Sequence, residues 1–311
     1  MSQSSFKTAE KTFSSYNEEQ GKAYAAGRPD YHPTLYQFIL DQHTSTNGQL
    51  GTLVDVGSGP GNVARTLGSH FAHVLGLDPS EGMVNTARSL GGTSSTSEPI
   101  HFEVSTAEEL GTNLSSPVQD ASVDLITAGN AAHWFDMSHF WPAAARVLKP
   151  GGSVILWTSG GSKIHPSIPN ASAIQDEMDR IEEEQLKPFF EPGNFLTRNR
   201  YVDLPLPWNL ETPIPEFDEG ASSRNEWDVN QDFYAINPLV GLDVFEKMIA
   251  TTSPVQRWRE AHPETIGTEH DIINIYRQMI ERLLHEAGVE KGQEKLKGAT
   301  RGAVLVVKKK M

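Results

Sequence analysis

The sequence predicts an α/β protein built on a mostly parallel sheet with helices on both faces. Three observations carry that prediction. Short apolar strands alternate with helical segments from residue 50 to residue 160, and this alternation requires a parallel sheet covered on both sides. The first strand runs into a glycine loop, Gly57-Ser58-Gly59-Pro60-Gly61, and then into a helix, which exposes bare backbone N–H groups to a ligand. With 311 residues, 37% of them hydrophobic, the chain can bury a core of that size.

The elements follow in order. Thr52–Val56 reads as a strand that ends on an acid and the glycine loop. A helix over 62–71 follows, with Val63, Leu67 and Phe71 on one face at four-residue spacing. Val74–Leu77 is the second strand, closed by Asp78. Ser80 is placed to cap a helix whose inner face is Met83, Ala87 and Leu90. His101–Val104 and Val123–Ala128 are further strands, and a helix over 140–148 stops at Lys149-Pro150-Gly151-Gly152. Ser153–Trp157 is a fifth strand. Beyond residue 160, segments 171–186, 242–249 and 271–286 read as helices, 199–204 as a sixth strand, and AVLVV at 303–307 as the closing strand. The prolines of Leu204-Pro205-Leu206-Pro207 resist helix.

Composition excludes several functions. The net charge of −14 repels phosphate backbones and argues against a nucleic-acid partner. The same field disfavours carboxylate-rich substrates unless Arg198, Arg200, Arg257 and Arg259 make a locally basic pocket. The absence of cysteine removes disulfides, thiolate nucleophiles and cysteine-bound zinc. The 11 histidines show no metal-ligand spacing, so no metal is expected. The first residues carry no apolar core, and no apolar run approaches the ~20 residues of a bilayer span. A cytoplasmic location with a nuclear share is therefore expected, with no membrane partner.

The glycines stand at 57, 59 and 61, a G-x-G-x-G pattern. The dinucleotide fingerprint needs a glycine at position 62, where this chain has Asn62. Asp78 ends the next strand 21 residues after Gly57, where an acid accepts hydrogen bonds from ribose hydroxyls. Loop and acid together favour an adenosine cofactor over an ordinary tight turn.

The segments LVDVGSGPG (53–61), LDPSEGMVNTA (77–87), VSTAEEL (104–110), VDLITAGNAAHWFD (123–136) and VLKPGGSVILW (147–157) resemble the class I S-adenosylmethionine-dependent methyltransferases. Tyr24-Ala25-Ala26-Gly27-Arg28-Pro29-Asp30-Tyr31 and Ala132-His133-Trp134-Phe135-Asp136 are similar to the trans-aconitate methyltransferase group. Within that group the resemblance extends to the fungal enzymes that thiomethylate epidithiodiketopiperazines such as gliotoxin.

The resemblance implies a Rossmann-like fold with a seven-stranded sheet in one domain spanning 1–311. Its parts are an arm at 1–45 that covers the cofactor, a cofactor core at 50–160, sheet completion and a helical cap at 161–300 and a closing strand at 301–311. It implies S-adenosylmethionine as cofactor and a small-molecule acceptor, and leaves the oligomeric state open. Gly57, Ser58 and Gly59 would face the methionine moiety and ribose, Asp55 the methionine amino group and Asp78 the ribose. Met83 would pack on adenine, with Ala107 and Glu108 at its edge. Asn130 and His133 would lie near the sulfonium and acceptor, with His133 the candidate base. Tyr24 and Arg28 would cover the cofactor. Relatives often carry Cys where this chain has Ser58.

Each residue also has a structural reading. Met83 fits a core position, Arg28 a surface ion pair, and His133 a packed neighbour of Trp134. Trp157, Trp208 and Trp258 fit either core or pocket. S-methylation of a dithiol leads; O-methylation of a small carboxylate and non-catalytic cofactor binding stand as alternatives.

Overall fold

The computed structural model describes residues 12–13, 16–27, 30–228 and 237–311. Helices α1 (Glu18–Gly27) and α2 (Pro33–Thr44) precede the core. The core itself runs β1 (Thr52–Val56), α3 (Asn62–Gly68), β2 (His73–Asp78), α4 (Glu81–Leu90), β3 (His101–Val104), β4 (Val123–Gly129), α5 (Met137–Val147) and β5 (Leu148–Ile164). The remainder adds α6 (Ala171–Ile181), α7 (Pro192–Arg198), β6 (Phe217–Trp227), β7 (Leu239–Gly241), α8 (Leu242–Ala250), α9 (Ser253–Ala261), α10 (Ile272–Glu286) and β8 (Lys295–Lys309).

These strands form one eight-stranded sheet of order β3-β2-β1-β4-β5-β8-β6, with β7 paired to β8. Strands β1 to β5 are parallel. Strand β8 runs antiparallel between β5 and β6. The Rossmann-like prediction holds, with one strand more than expected. Apolar clusters fill both faces of the sheet. A third, around Ile174, Trp258 and Ile280, holds the cap helices together. Among the described residues, no helix is long and apolar enough to cross a membrane.

Several elements depart from expectation. Helix α3 ends at Gly68 rather than 71. Helix α5 begins at Met137, because the Asp136 side chain accepts from the Ser138 amide at 3.1 Å and caps it. In α4 the Ser80 hydroxyl accepts from the Met83 amide as predicted, but the buried face is Met83, Val84 and Ala87 while Leu90 is exposed. Strand β5 extends to Ile164 and β8 begins at Lys295.

Residues 199–204 form a turn, not a strand. Arg200 and Tyr201 both adopt positive φ, 56° and 62°. Left-handed backbone costs a residue with a Cβ roughly 1–2 kcal/mol, so the surroundings must enforce it. The Tyr201 amide donates to the Leu196 carbonyl at 2.8 Å and the Arg224 guanidinium to the Arg200 carbonyl at 2.5 Å. Strand β6 and helix α9 went unanticipated. Trp157 and Trp258 are core residues, and Trp208 packs half-buried against the sheet.

Beneath the amino ends of the central strands lies a buried basic cluster. The Lys308 ammonium donates to the Ser153 hydroxyl at 2.7 Å and to the Gln42 carbonyl at 3.0 Å. His43 meets Ser153 at 2.8 Å through Nδ1 and the Gln49 carbonyl at 2.8 Å through Nε2. Burial pushes Lys308 down to about 8 and lowers His43 as well. Above pH 8 the folded chain has released the Lys308 proton while the unfolded chain keeps it until about 10.4. The Lys308 contribution to stability therefore rises with pH across that window. Denaturation midpoints from pH 8 to 10 are expected to climb relative to Lys308→Met; parallel curves would refute the linkage.

Candidate cofactor and acceptor site

The carboxyl ends of β1, β2 and β4 converge on the glycine loop. The Ser58 amide donates to the Leu77 carbonyl at 3.0 Å, tying the loop to β2. Gly57 has φ 65°, and a Cβ there would lie 2.5 Å from the Ala131 Cβ. Its missing side chain serves the packing of the β4–α5 loop. Gly59 has φ 52°, and a Cβ there would meet nothing within 4 Å. Gly59 is thus the glycine of this pair that faces open space.

Asp55 and Asp78 stand at the ends of β1 and β2, on either side of the loop in sequence. Asp55 is buried, and its Oδ1 accepts from the Thr127 hydroxyl at 2.8 Å. Its Oδ2 is buried without a hydrogen-bond partner among the described residues. Burial pushes this carboxyl up to about 7, against the pull of the Thr127 hydroxyl. Asp78 Oδ2 accepts from the Gly59 amide at 2.8 Å and Oδ1 from the Ser80 amide at 2.9 Å.

These residues fit the cofactor implied by the sequence. An unused carboxylate oxygen at the end of β1 suits an ammonium. Asp78 presents a carboxylate at the end of β2, the chemistry that accepts from ribose hydroxyls. The Gly59 backbone leaves room for close approach.

Asp55 also has a pH signature. Between the ordinary carboxylate range and about 7, the folded chain holds a proton that the unfolded chain has lost. The Asp55 contribution to stability is complete below that window and is lost as pH rises through 7. Asp55→Asn is expected to flatten this part of the stability curve, measured as denaturation midpoints at pH 5 and pH 7.5. An unchanged slope would place the ionisation elsewhere.

The other candidates fall as follows. Met83 is buried in the first turn of α4, where the Tyr16 carbonyl lies so close to Gly82 that a Cβ there would sit at 2.3 Å. Ala107 is buried in the apolar cluster that holds Val54, Leu77 and Ala131, and the Glu108 carboxylate accepts from the Asp136 amide at 2.7 Å, bracing the β4–α5 loop. The Ser58 hydroxyl is buried without a hydrogen-bond partner among the described residues. Asn130 has φ 51° and closes β4, its Oδ1 accepting from the Ser159 amide at 2.9 Å and its Nδ2 donating to the Tyr31 hydroxyl at 3.2 Å. Tyr24 stacks edgewise with Phe13 and Tyr16 and lines a cavity of about 390 Å³ between α1 and the α8–α9 pair. Arg28 lies outside the described residues.

His133 is 7% exposed, in a single helical turn just past β4. Its Nδ1 lies 2.9 Å from the Tyr201 hydroxyl. Trp134, beside it, meets the Phe13 ring with ring centres 6.5 Å apart, which brings Phe13 to this end of the sheet. Thr127 and Tyr31 lie inside the matched segments, which assign them no partner, and Tyr201 lies in none of them, because its role arises from a contact distant in sequence. Among the described residues no group of side chains has the makings of a metal site.

A family model described as a methyltransferase domain matches residues 54–156. A putative methyltransferase of Dictyostelium discoideum is 33% identical over 143 residues, 46% of this chain and 48% of that protein. A methyltransferase of Aspergillus candidus is 32% identical over 152 residues, 49% of this chain and 46% of that one. These matches thus span about half the length of each relative. The solved structure of a putative type II methyltransferase from Anaeromyxobacter dehalogenans superposes with a TM-score of 0.59 at 21% identity, covering 91% of this chain and 97% of that one, and shows the shared fold. A methyltransferase of Claviceps purpurea is 31% identical over 274 residues, 76% of this chain and 83% of that protein. On that likeness, with the glycine loop and its two acids in place, the chain belongs to the class I S-adenosylmethionine-dependent methyltransferases.

Proposed function

We propose that the protein methylates a neutral small-molecule acceptor, favouring a thiol of a dithiol metabolite of the epidithiodiketopiperazine type. The observation that carries a neutral acceptor is the pairing of the arginines. A carboxylate acceptor such as trans-aconitate calls for arginine forks to orient it. Outside the cofactor motifs, Arg198 pairs with Glu182, Arg200 with Glu226 at 2.8 Å, Arg257 with Glu191 at 3.4 Å and Arg259 with Asp271 at 3.1 Å. Each of these four already holds a carboxylate of the chain.

The bound cofactor supplies an electrophilic methyl on sulfur, which an acceptor takes by in-line displacement, forming its own bond to the methyl as the donor bond breaks. The chain holds the donor through Asp55, Asp78 and the glycine loop. It shields the site with the Phe13 and Trp134 rings. Positioning of this kind contributes ~7–11 kcal/mol. His133 receives the acceptor proton; a thiol of pKa ~8.5 needs little of this help and a phenol near 10 needs more.

The test is label transfer from methyl-labelled donor to dithiols, phenols and small carboxylates. Label on sulfur is expected. Label on a carboxylate instead would overturn the acceptor assignment. Binding of S-adenosylhomocysteine without transfer to any acceptor would make the protein a cofactor-binding regulator.

A further inference from the structure

We propose that Tyr201 is a positioning residue for methyl transfer, holding the His133 ring in the tautomer whose Nε2 is basic. The proposal rests on the reading of His133 as proton acceptor. It starts from helix α7, which grips His133 at both ends. At its amino end, Gly193 packs so closely that a Cβ would lie 2.7 Å from the His133 carbonyl oxygen. At its carboxyl end the chain enters the left-handed pair Arg200-Tyr201, which turns the Tyr201 hydroxyl to 2.9 Å from His133 Nδ1. Tyr201 is 1% exposed, so this bond is shielded from water. Trp134 packs against the same imidazole with ring centres 4.7 Å apart. A non-glycine pair held in left-handed backbone marks a place where the fold enforces an unfavourable local geometry. Here that geometry delivers one phenol to one histidine.

The direction of the proton follows from the proton-acceptor reading. For His133 to take up a proton at Nε2, its Nδ1 must already carry one. The Tyr201 oxygen, 2.9 Å away, is then the acceptor that holds that Nδ1–H in place.

The experiment is nitrogen-15 NMR of the full chain with labelled histidine, the His133 signal assigned by its loss in His133→Gln. Wild type is expected to show a protonated Nδ1 and an unprotonated Nε2. Tyr201→Phe is expected to show the tautomers mixed. It should also slow transfer to a phenol on the order of tenfold to a hundredfold, as when a group orienting a histidine is removed, with transfer to a dithiol changed far less. Mixed tautomers in wild type would overturn the proposal whether or not the variant folds, and so would an unchanged pattern in a folded Tyr201→Phe. If His133→Gln leaves transfer to every acceptor unchanged, the proton-acceptor reading fails, while the tautomer result is judged on its own.

Discussion

Asp78→Ala is expected to weaken S-adenosylhomocysteine binding at least about a hundredfold in calorimetry. The carboxylate has two duties at once. It accepts from the Gly59 and Ser80 amides, which fixes the loop against the start of α4, and we propose that it also binds the cofactor ribose. Hydrogen bonds to a charged group contribute ~1.5–3 kcal/mol each, and 1.4 kcal/mol is tenfold in affinity. Losing the ribose contacts together with the loop anchor therefore passes a hundredfold. Asp78→Asn should lose nearly as much, because an amide NH2 turned toward the Gly59 N–H sets donor against donor. Undiminished affinity in a folded Asp78→Ala variant would remove this residue from the cofactor site.

His133→Ala is expected to lower kcat for a phenolic acceptor by about a hundredfold or more, the ordinary range for losing a general base. Transfer to a thiol, already a few per cent ionised near neutrality, should fall much less. KM for the cofactor should barely move, because Asp55, Asp78 and the loop are untouched. Equal losses for thiol and phenol would point to packing against Trp134 and Tyr201 in place of proton transfer.

What the sequence made legible was local. The acid at the end of β1, the glycine turn and the acid at the end of β2 lie within one βαβ unit, where strand ends and loop residues have little freedom. Glu108 and Asn130 show the limit of such reading. Their motifs locate them at the strand ends, yet their side-chain atoms bond the Asp136 and Ser159 amides, pairings that no motif spells out. Tyr201 was further out of reach. It meets His133 across 68 residues, and its segment, taken for a strand, is a turn whose left-handed backbone no propensity favours. Strand β6 hid for another reason: Ser222, Ser223 and Asn225 stand on the outer edge of the sheet, where apolar alternation is not required.

The position of β8 has a consequence for synthesis. It follows every other described strand of this sheet in the chain, yet it sits inside the sheet, flanked by β5 and β6. Until residues 295–309 emerge, the Val154–Thr158 stretch of β5 presents an unpaired apolar edge, and β6 has no neighbour to join. Such an edge recruits foreign strands, and pairing it across more than 130 residues of intervening chain is slow. The nascent protein must therefore keep a half-built sheet from aggregating for as long as the cap takes to translate, which makes chaperone demand during translation a property written into the strand order.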